Sequence, residues 1–434
     1  MTRRILLALA LAVLLSGCVA AAPAEHPDDD HRLGWENGYA HDDPVAVTTA
    51  DGLNATEREA VVARAMARLE HLRGLEFTEP VSVRLESREQ FRANRSTDEN
   101  GTHVAWNNQV WKALFLVGAD RDVNDVFDDA LGSRVIGYYE PGTGEIVIVS
   151  DSETPQISRG TLVHELVHAL QDQRFGLEAW PDTQDRQLAR NGVVEGEANR
   201  LQSLYVDRCG GAWDCVPETG SGGGGGSLGP YGENVFTVIY HPYATGPAFV
   251  ERIAATGDAA ALNALYDPYP ASTEQLIHPG AYPDEVPVDV TVPDRARGNW
   301  TRFDVDPAAD TVGEASIFAM VVANDLGETD VGRFSYRHPV SAGWGGDAVV
   351  PYRDGDRFGY VWTTAWDTER DAREFRAAYE ELLTRRNAVR LGETRYRLPD
   401  GDPFGGGYRI TRDGRRVTVV HGPTPAALDR IHAP

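Results

Sequence analysis

The segment Leu162-Val163-His164-Glu165-Leu166-Val167-His168-Ala169-Leu170 is predicted to be part of one helix, half buried in a hydrophobic core. Residues four apart lie on the same face of a helix, so His164 and His168 can point at one metal ion. Glu165 borders that face and can reach a water molecule at the ion. The alternative is a buried helix whose histidines are only hydrogen-bonded.

The elements predicted around this segment belong to the α+β class. A β-hairpin is expected at 135–139 and 145–149, since two apolar runs flank the turn Pro141-Gly142-Thr143-Gly144. Helical spacing of apolar residues predicts helices over 54–73, 158–174 and about 188–207. The C-terminal part alternates predicted strands with helices; the strands are 358–363 and 407–420, and the helices are 313–326, 368–386 and 424–432.

The His-Glu-x-x-His segment resembles the metal-binding helix of the zincin superfamily of metallopeptidases, which implies a Zn²⁺ cofactor. In that fold an edge strand of a sheet lies just before the metal-binding helix, and the resemblance gives this place to residues 145–149. A catalytic zinc needs three protein ligands and one open position. The resemblance therefore implies a third ligand on a later helix.

Val194-Glu195-Gly196-Glu197-Ala198-Asn199 resembles the Asn-Glu-Gly-x-Ala segment of the glutamate-ligand branch, the gluzincins. The resemblance implies Glu195 as the third ligand. Asn199 stands where thermolysin-like members place an aspartate that orients a ligand histidine. Asparagine carries no charge, so this departure puts the orienting role in doubt.

Glu197 is the alternative third ligand. On a helical wheel it lies nearer than Glu195 to the centre of the apolar face, which contains Val194, Ala198, Leu201 and Tyr205. A carboxylate buried there is costly unless it binds a metal or another cation. Both glutamates therefore remain candidates.

The resemblance also implies a mechanism in which Glu165 moves a proton from water to the leaving amine. A Tyr or His from a later segment usually stabilises the oxyanion in such enzymes. His278, within 272–279, is the favoured candidate, with Tyr240 and His241 as alternatives. A structural role for His278 is the competing interpretation.

A wider resemblance extends over about residues 130–285. His164 to Gln173 reads His-Glu-Leu-Val-His-Ala-Leu-Gln-Asp-Gln, which is similar to a segment of uncharacterised surface lipoproteins of salt-loving archaea. This resemblance implies no substrate.

The N-terminus has the pattern of an export signal. Residues 1–18 carry two arginines, a short apolar run and Leu15-Ser16-Gly17-Cys18, which resembles a lipoprotein signal box. We expect Cys18 to carry lipid, and residues 19–45 to be a flexible tether to the folded part. Cys209 and Cys215 are then an even pair outside the cell, which predicts a disulfide. The protein is expected at the outer face of the cytoplasmic membrane.

The net charge of −25 argues against nucleic-acid binding, which requires clustered Lys and Arg. Lys112 is the only lysine, and an acidic, lysine-poor surface is typical of adaptation to high salt. The predicted organisation is a zincin-like domain at 46–285, with a Gly-rich loop at 220–227, and a smaller α+β domain at 286–434.

The favoured hypothesis is a membrane-anchored zinc metallopeptidase that hydrolyses a peptide or protein substrate outside the cell. The alternative is a non-catalytic surface lipoprotein that keeps a zincin scaffold for binding or envelope structure. A third is a solute-binding lipoprotein in which the motif is accidental. The intact Glu165 favours the first over the second, because a binding module does not require that residue.

Overall fold

The computed structural model describes residues 32–44, 47, 51–95, 101–131, 135–152, 154–155, 157–217, 228–327 and 331–434. The predicted signal peptide 1–18 with Cys18, residues 19–31 of the predicted tether and the loop 220–227 lie outside the described residues.

The described residues contain helices and strands in mixed order, which confirms the α+β class. The helices are α1 (Ala55–Arg73), α2 (Arg88–Arg95), α3 (Gly101–Ala113), α4 (Val123–Leu131), α5 (Arg159–Phe175), α6 (Gln184–Arg208), α7 (Gly229–Ile239), α8 (His241–Thr256), α9 (Ala259–Asn263), α10 (Thr273–Ile277), α11 (Gly313–Ala323), α12 (Glu369–Arg385) and α13 (Leu428–Ile431). The strands are β1 (Trp35–Glu36), β2 (Tyr39–Ala40), β3 (Ser82–Glu86), β4 (Gly137–Glu140), β5 (Glu145–Val149), β6 (Thr301–Arg302), β7 (Trp344–Asp354), β8 (Arg357–Trp366), β9 (Val389–Arg390), β10 (Arg395–Leu398), β11 (Gly406–Asp413) and β12 (Arg416–Gly422).

The three-stranded sheet beside α5 has the order β3-β5-β4. β3 pairs with β5 in parallel, and β4 pairs with β5 antiparallel, so the predicted hairpin is present. The expectation that residues 145–149 form the edge strand is wrong, because β5 is central and β4 takes the edge. β5 reads Glu-Ile-Val-Ile-Val and is buried along almost its whole length, as expected for a central strand, whereas the flanking strands β3 and β4 carry polar residues and are less buried.

The first core joins this sheet to α1, α5 and α6. Met66, Ile146, Leu166 and Leu201 are each completely buried in it. The short hairpin β1-β2 also contacts this part of the protein, since the Gly34 N–H donates to Glu70 on α1 at 2.8 Å. The predicted tether therefore extends too far, because its described end folds against α1.

Glycines bring α8 unusually close to α6. A Cβ atom on Gly246 would lie 2.1 Å from the backbone oxygen of Gly192, and one on Gly196 would lie 2.5 Å from the backbone of Gly246. Such distances are far below van der Waals contact, so these positions require glycine. The close approach matters for the site, because Tyr243 lies one helical turn before Gly246.

The second sheet has seven strands in the order β6-β7-β8-β12-β11-β10-β9. The strand predicted over 407–420 is in fact two strands, β11 and β12, which form a hairpin with Gly414 at φ 55° in its turn. The core of this sheet includes Trp106 and Val110 of α3 and Val235 of α7. Hydrophobic packing therefore crosses the predicted domain boundary at residue 286.

The Cys209–Cys215 disulfide is present just after α6, which confirms that prediction. Within the described ranges, no helix combines the length and apolar content needed to cross a bilayer.

Candidate metal centre

The two histidines of α5 and a glutamate of α6 converge on one point. His164 Nε2 lies 3.0 Å from Glu195 Oε2, and His168 Nε2 lies 3.5 Å from the same oxygen. One ligand atom from each of the three side chains can be chosen so that all lie within 4.8 Å of one another. The structure thus brings together the three residues that the sequence analysis proposed as metal ligands.

Two glutamines orient the imidazole rings. The Oε1 atom of Gln202 lies 3.1 Å from Nδ1 of His164, and the Oε1 atom of Gln171 lies 2.9 Å from Nδ1 of His168. An amide oxygen only accepts hydrogen bonds, so each Nδ1 must carry a proton. Each neutral ring then turns the lone pair of its Nε2 towards Glu195.

Two lone pairs that face a carboxylate repel it unless a positive charge lies between them. In the protein without metal, this charge is a proton. Burial would lower the pKa of His168, but the Glu195 carboxylate outweighs burial and raises it to about 9. Burial would likewise raise the pKa of Glu195, but His168 and His164 hold it well below its usual range. The arrangement therefore favours a cation.

The donor set fits zinc. Two imidazole nitrogens and one carboxylate oxygen are the ligands of many catalytic zinc sites. Ligands at zinc distance in a tetrahedral arrangement lie about 3.4 Å from each other. The measured 3.0 and 3.5 Å separations match this spacing. Three ligands leave a fourth position for water or substrate.

Glu165 lies beside the candidate centre with a fixed carboxylate. Its Oε2 accepts a hydrogen bond of 2.9 Å from the Tyr139 backbone N–H on the edge strand β4. Burial raises the pKa of Glu165, although His168 and His164 partly counteract this effect. A carboxylate with a raised pKa, held by a backbone donor, is suited to take up and release a proton.

The structure places Glu197 away from this cluster. Arg73 of α1 donates from Nε to Glu197 Oε1 at 2.6 Å, and both side chains are almost fully buried. The Tyr266 hydroxyl and the Gln171 amide donate to the other carboxylate oxygen. The predicted need for a buried cation is thus met by an arginine, and Glu195 remains the candidate third ligand.

Asn199 contacts its own helix. Its Nδ2 donates to the backbone oxygen of Glu195 at 2.8 Å. The side chains that contact the Nδ1 atoms of His164 and His168 are instead those of Gln202 and Gln171. Neither glutamine was predicted to have a role, although Gln171 follows His168 by three residues and Gln202 follows Glu195 by seven, which are helical spacings.

The three residues proposed for the oxyanion have other partners. His278 Nε2 lies 3.1 Å from Glu314 Oε1 on α11. His241 is completely buried, and its Nε2 lies 3.1 Å from the Thr245 hydroxyl. The Tyr240 ring stacks on a neighbouring tyrosine, and their centroids are 5.8 Å apart.

That neighbour, Tyr243, is a candidate that the sequence analysis missed. Burial of its hydroxyl and the nearby charge of Glu195 raise the pKa of Tyr243 well above its ordinary value. Glu165 contributes in the same direction, so the phenol faces both carboxylates. The whole residue is 42% exposed, as expected for a side chain beside an open site.

A cavity of about 510 Å³ begins one helical turn from Glu195. Gln184 and Asn191 of α6 line it together with Trp106, Trp111 and Phe127. Asn191 and Glu195 are four residues apart, so they share one face of α6 at a spacing of about 6 Å along the axis. The cavity therefore lies along the face of α6 that carries Glu195, although neither the three candidate ligands nor Glu165 line it.

Comparison with known proteins bears on another part of the chain. A family described as a domain of unknown function (DUF8575) matches residues 301–432. Neither curated proteins nor solved structures gave a match. The matched residues cover the seven-stranded sheet and do not include the candidate metal centre.

Proposed function

We propose that this chain is a zinc-dependent metallopeptidase of the zincin type. His164, His168 and Glu195 hold the zinc ion, and Glu165 is the general base. The observation that carries the proposal is the convergence of the Nε2 atoms of both histidines on Glu195, while the Nδ1 atom of each ring is hydrogen-bonded to a glutamine amide oxygen. A helix with merely structural histidines does not require this arrangement of acceptors.

Zinc in such a site polarises a substrate carbonyl and makes a water molecule more acidic. The chain's own residues do the rest. Glu165 accepts a proton from water and then transfers it to the departing amine. The Tyr139 N–H keeps the Glu165 carboxylate in place during both transfers. The Tyr243 hydroxyl donates a hydrogen bond to the developing oxyanion.

A peptide is the substrate class that suits the surroundings. The cavity along α6 provides flat aromatic surfaces and amide groups, which pack against side chains and hydrogen-bond to a peptide backbone. An extended peptide advances about 3.3 Å per residue, so two residues span the distance from Glu195 to Asn191.

The proposal also includes attachment to the membrane through a lipid on Cys18. The signal-box pattern of residues 15–18 supports it. Expression of the full chain and of Cys18→Ser, followed by fractionation, tests this part. Retention of the variant in the membrane fraction contradicts the lipid anchor, without affecting the zinc assignment.

Metal content and hydrolysis test the enzymatic proposal. The purified full chain should contain about one zinc by elemental mass spectrometry and should cleave members of a mixed peptide library. Glu165→Gln keeps the size of the side chain and should retain zinc while losing hydrolysis. Equal cleavage by this variant and the wild type refutes the mechanism. Zinc retention without any cleavage in the wild type supports the non-catalytic alternative.

A further inference from the structure

A second group of potential ligands lies where α10 meets the end of β8. It consists of Glu274 on α10, Glu285 in the following loop and Asp367 immediately after β8. One carboxylate oxygen from each lies within 4.8 Å of the others. This three-carboxylate cluster is built from segments far apart in sequence, so the tertiary fold alone assembles it.

Glu274 is the informative member. The residue is only 4% exposed, and within the described part of the chain its carboxylate has no hydrogen-bond donor and no basic partner. Burial and the charge of Glu314, followed by that of Glu285, raise the pKa of Glu274 to about 9. A buried carboxylate surrounded by other acids is costly unless a cation compensates its charge.

The other buried acids nearby all have donors. Asp185 accepts from the backbone N–H and the hydroxyl of Thr273, and Asp347 accepts from the N–H groups of Val312 and Gly313. Glu314 has His278. Asp185 and Asp347 are therefore satisfied, whereas Glu314 keeps a buried Oε2 atom without a hydrogen-bond partner, and Glu274 has no donor at all among the described residues.

We propose that Glu274, Glu285 and Asp367 form a binding site for Ca²⁺. A ligand set of three carboxylates, with no nitrogen or sulfur ligand, is typical of a hard cation. Glu285 and Asp367 are exposed, so solvent can supply the remaining oxygen ligands that Ca²⁺ requires. This site is separate from the candidate zinc centre and does not depend on the proposed peptidase activity.

A bound Ca²⁺ ion connects the helical part of the protein to the seven-stranded sheet. Glu274 and Glu285 flank the turn after α10, and Asp367 precedes the first residues of α12. An ion that binds only the folded state stabilises it in proportion to its concentration and affinity. The ion would hold these segments together, and its role is structural.

Calcium titration tests the site. The full chain, stripped with EGTA and then supplied with zinc, is titrated with CaCl₂ by calorimetry and by thermal unfolding in about 1 M NaCl, which screens non-specific binding. We expect one site and a rise in Tm. Glu285→Gln and Asp367→Asn should each weaken Ca²⁺ binding at least tenfold, because each removes a charged ligand.

Asp284→Asn is the matched control, because it removes one exposed charge next to Glu285 and should bind Ca²⁺ like the wild type. Glu274→Gln tests the site with a variant that should still fold. Without Ca²⁺ it should be at least as stable as the wild type, and its Tm should not rise when Ca²⁺ is added. Zinc content should remain the same in every variant. The absence of Ca²⁺ stabilisation in the wild type, or equal Ca²⁺ affinity in Glu285→Gln and Asp284→Asn, overturns the proposal.

Discussion

Glu195 and Glu197 are two residues apart on α6, and substitution by glutamine should affect them in opposite ways. Glu195→Gln removes a charged ligand from the candidate zinc centre. Substitution of groups that only orient a ligand weakens binding about 10–100-fold, so loss of a direct ligand should weaken zinc binding more than about 100-fold. The metal-free protein should lose little stability, because His168 can release its proton once Glu195 is neutral.

Glu197→Gln leaves Arg73 buried without its counter-charge. The two side chains are 2% and 3% exposed, and an arginine cannot release its proton. Breaking a buried pair from one side costs about 3–5 kcal/mol. For a chain of this size the loss lowers Tm by roughly 3–6 °C. Zinc affinity should stay close to that of the wild type.

The assay is a competition titration with a chromogenic zinc chelator, paired with calorimetric unfolding of the metal-free proteins. The two variants serve as controls for each other, since both replace one glutamate by glutamine on the same helix. Loss of zinc in Glu197→Gln together with retention in Glu195→Gln refutes the assignment of the third ligand. If both variants lose zinc and their metal-free forms are equally stable, the buried ion pair of Glu197 with Arg73 does not contribute to stability.

Three further outcomes are expected. Tyr243→Phe should lower kcat for peptide cleavage by about 10²-fold at unchanged zinc content; an unchanged kcat removes Tyr243 from the mechanism. Burial raises the pKa of Asp310 from 3.8 to about 7, so the folded state keeps a proton that the unfolded state has lost. The free energy of unfolding should therefore fall as pH rises from about 4 to 7, by at most about 1.4 kcal/mol per pH unit from this group. Urea unfolding of Asp310→Asn should show a shallower fall than the wild type; parallel curves contradict the assignment. Replacing Cys209 and Cys215 by serine should lower the free energy of unfolding by about 2–3 kcal/mol in urea titrations, the loop entropy of a short closed loop; an equally stable variant would indicate compensating strain in the disulfide.

Helices with one apolar face could be located well from the sequence. The predicted helices at 54–73, 158–174 and 368–386 agree with α1, α5 and α12 to within a residue or two. β7 was missed entirely. It contains Gly345, Gly346 and Pro351, which count against a strand, and its nearly complete burial removes the alternation that identifies one.

Local spacing was sufficient to pair the two candidate ligand histidines. Residues four apart on a helix share a face whatever the rest of the chain does, so His164 and His168 could be paired from the sequence alone. The choice between Glu195 and Glu197 could not be made in this way. It depends on Arg73, which lies 124 residues from Glu197 in the chain and meets it only after α1 packs against α6.

Contacts between segments that are far apart in the chain also explain the remaining differences between the predictions and the structure. Tyr243 comes near Glu195 because glycines let α8 approach α6, and the acidic cluster around Glu274 joins α10 and its following loop to the end of β8. By itself, the sequence determined the apolar-faced helices, the placement of His164 and His168 on one face of α5, and the disulfide, because their residues are neighbours along the chain. Only the tertiary structure decided which buried carboxylates have partners, since burial and long-range contacts arise when distant segments pack together.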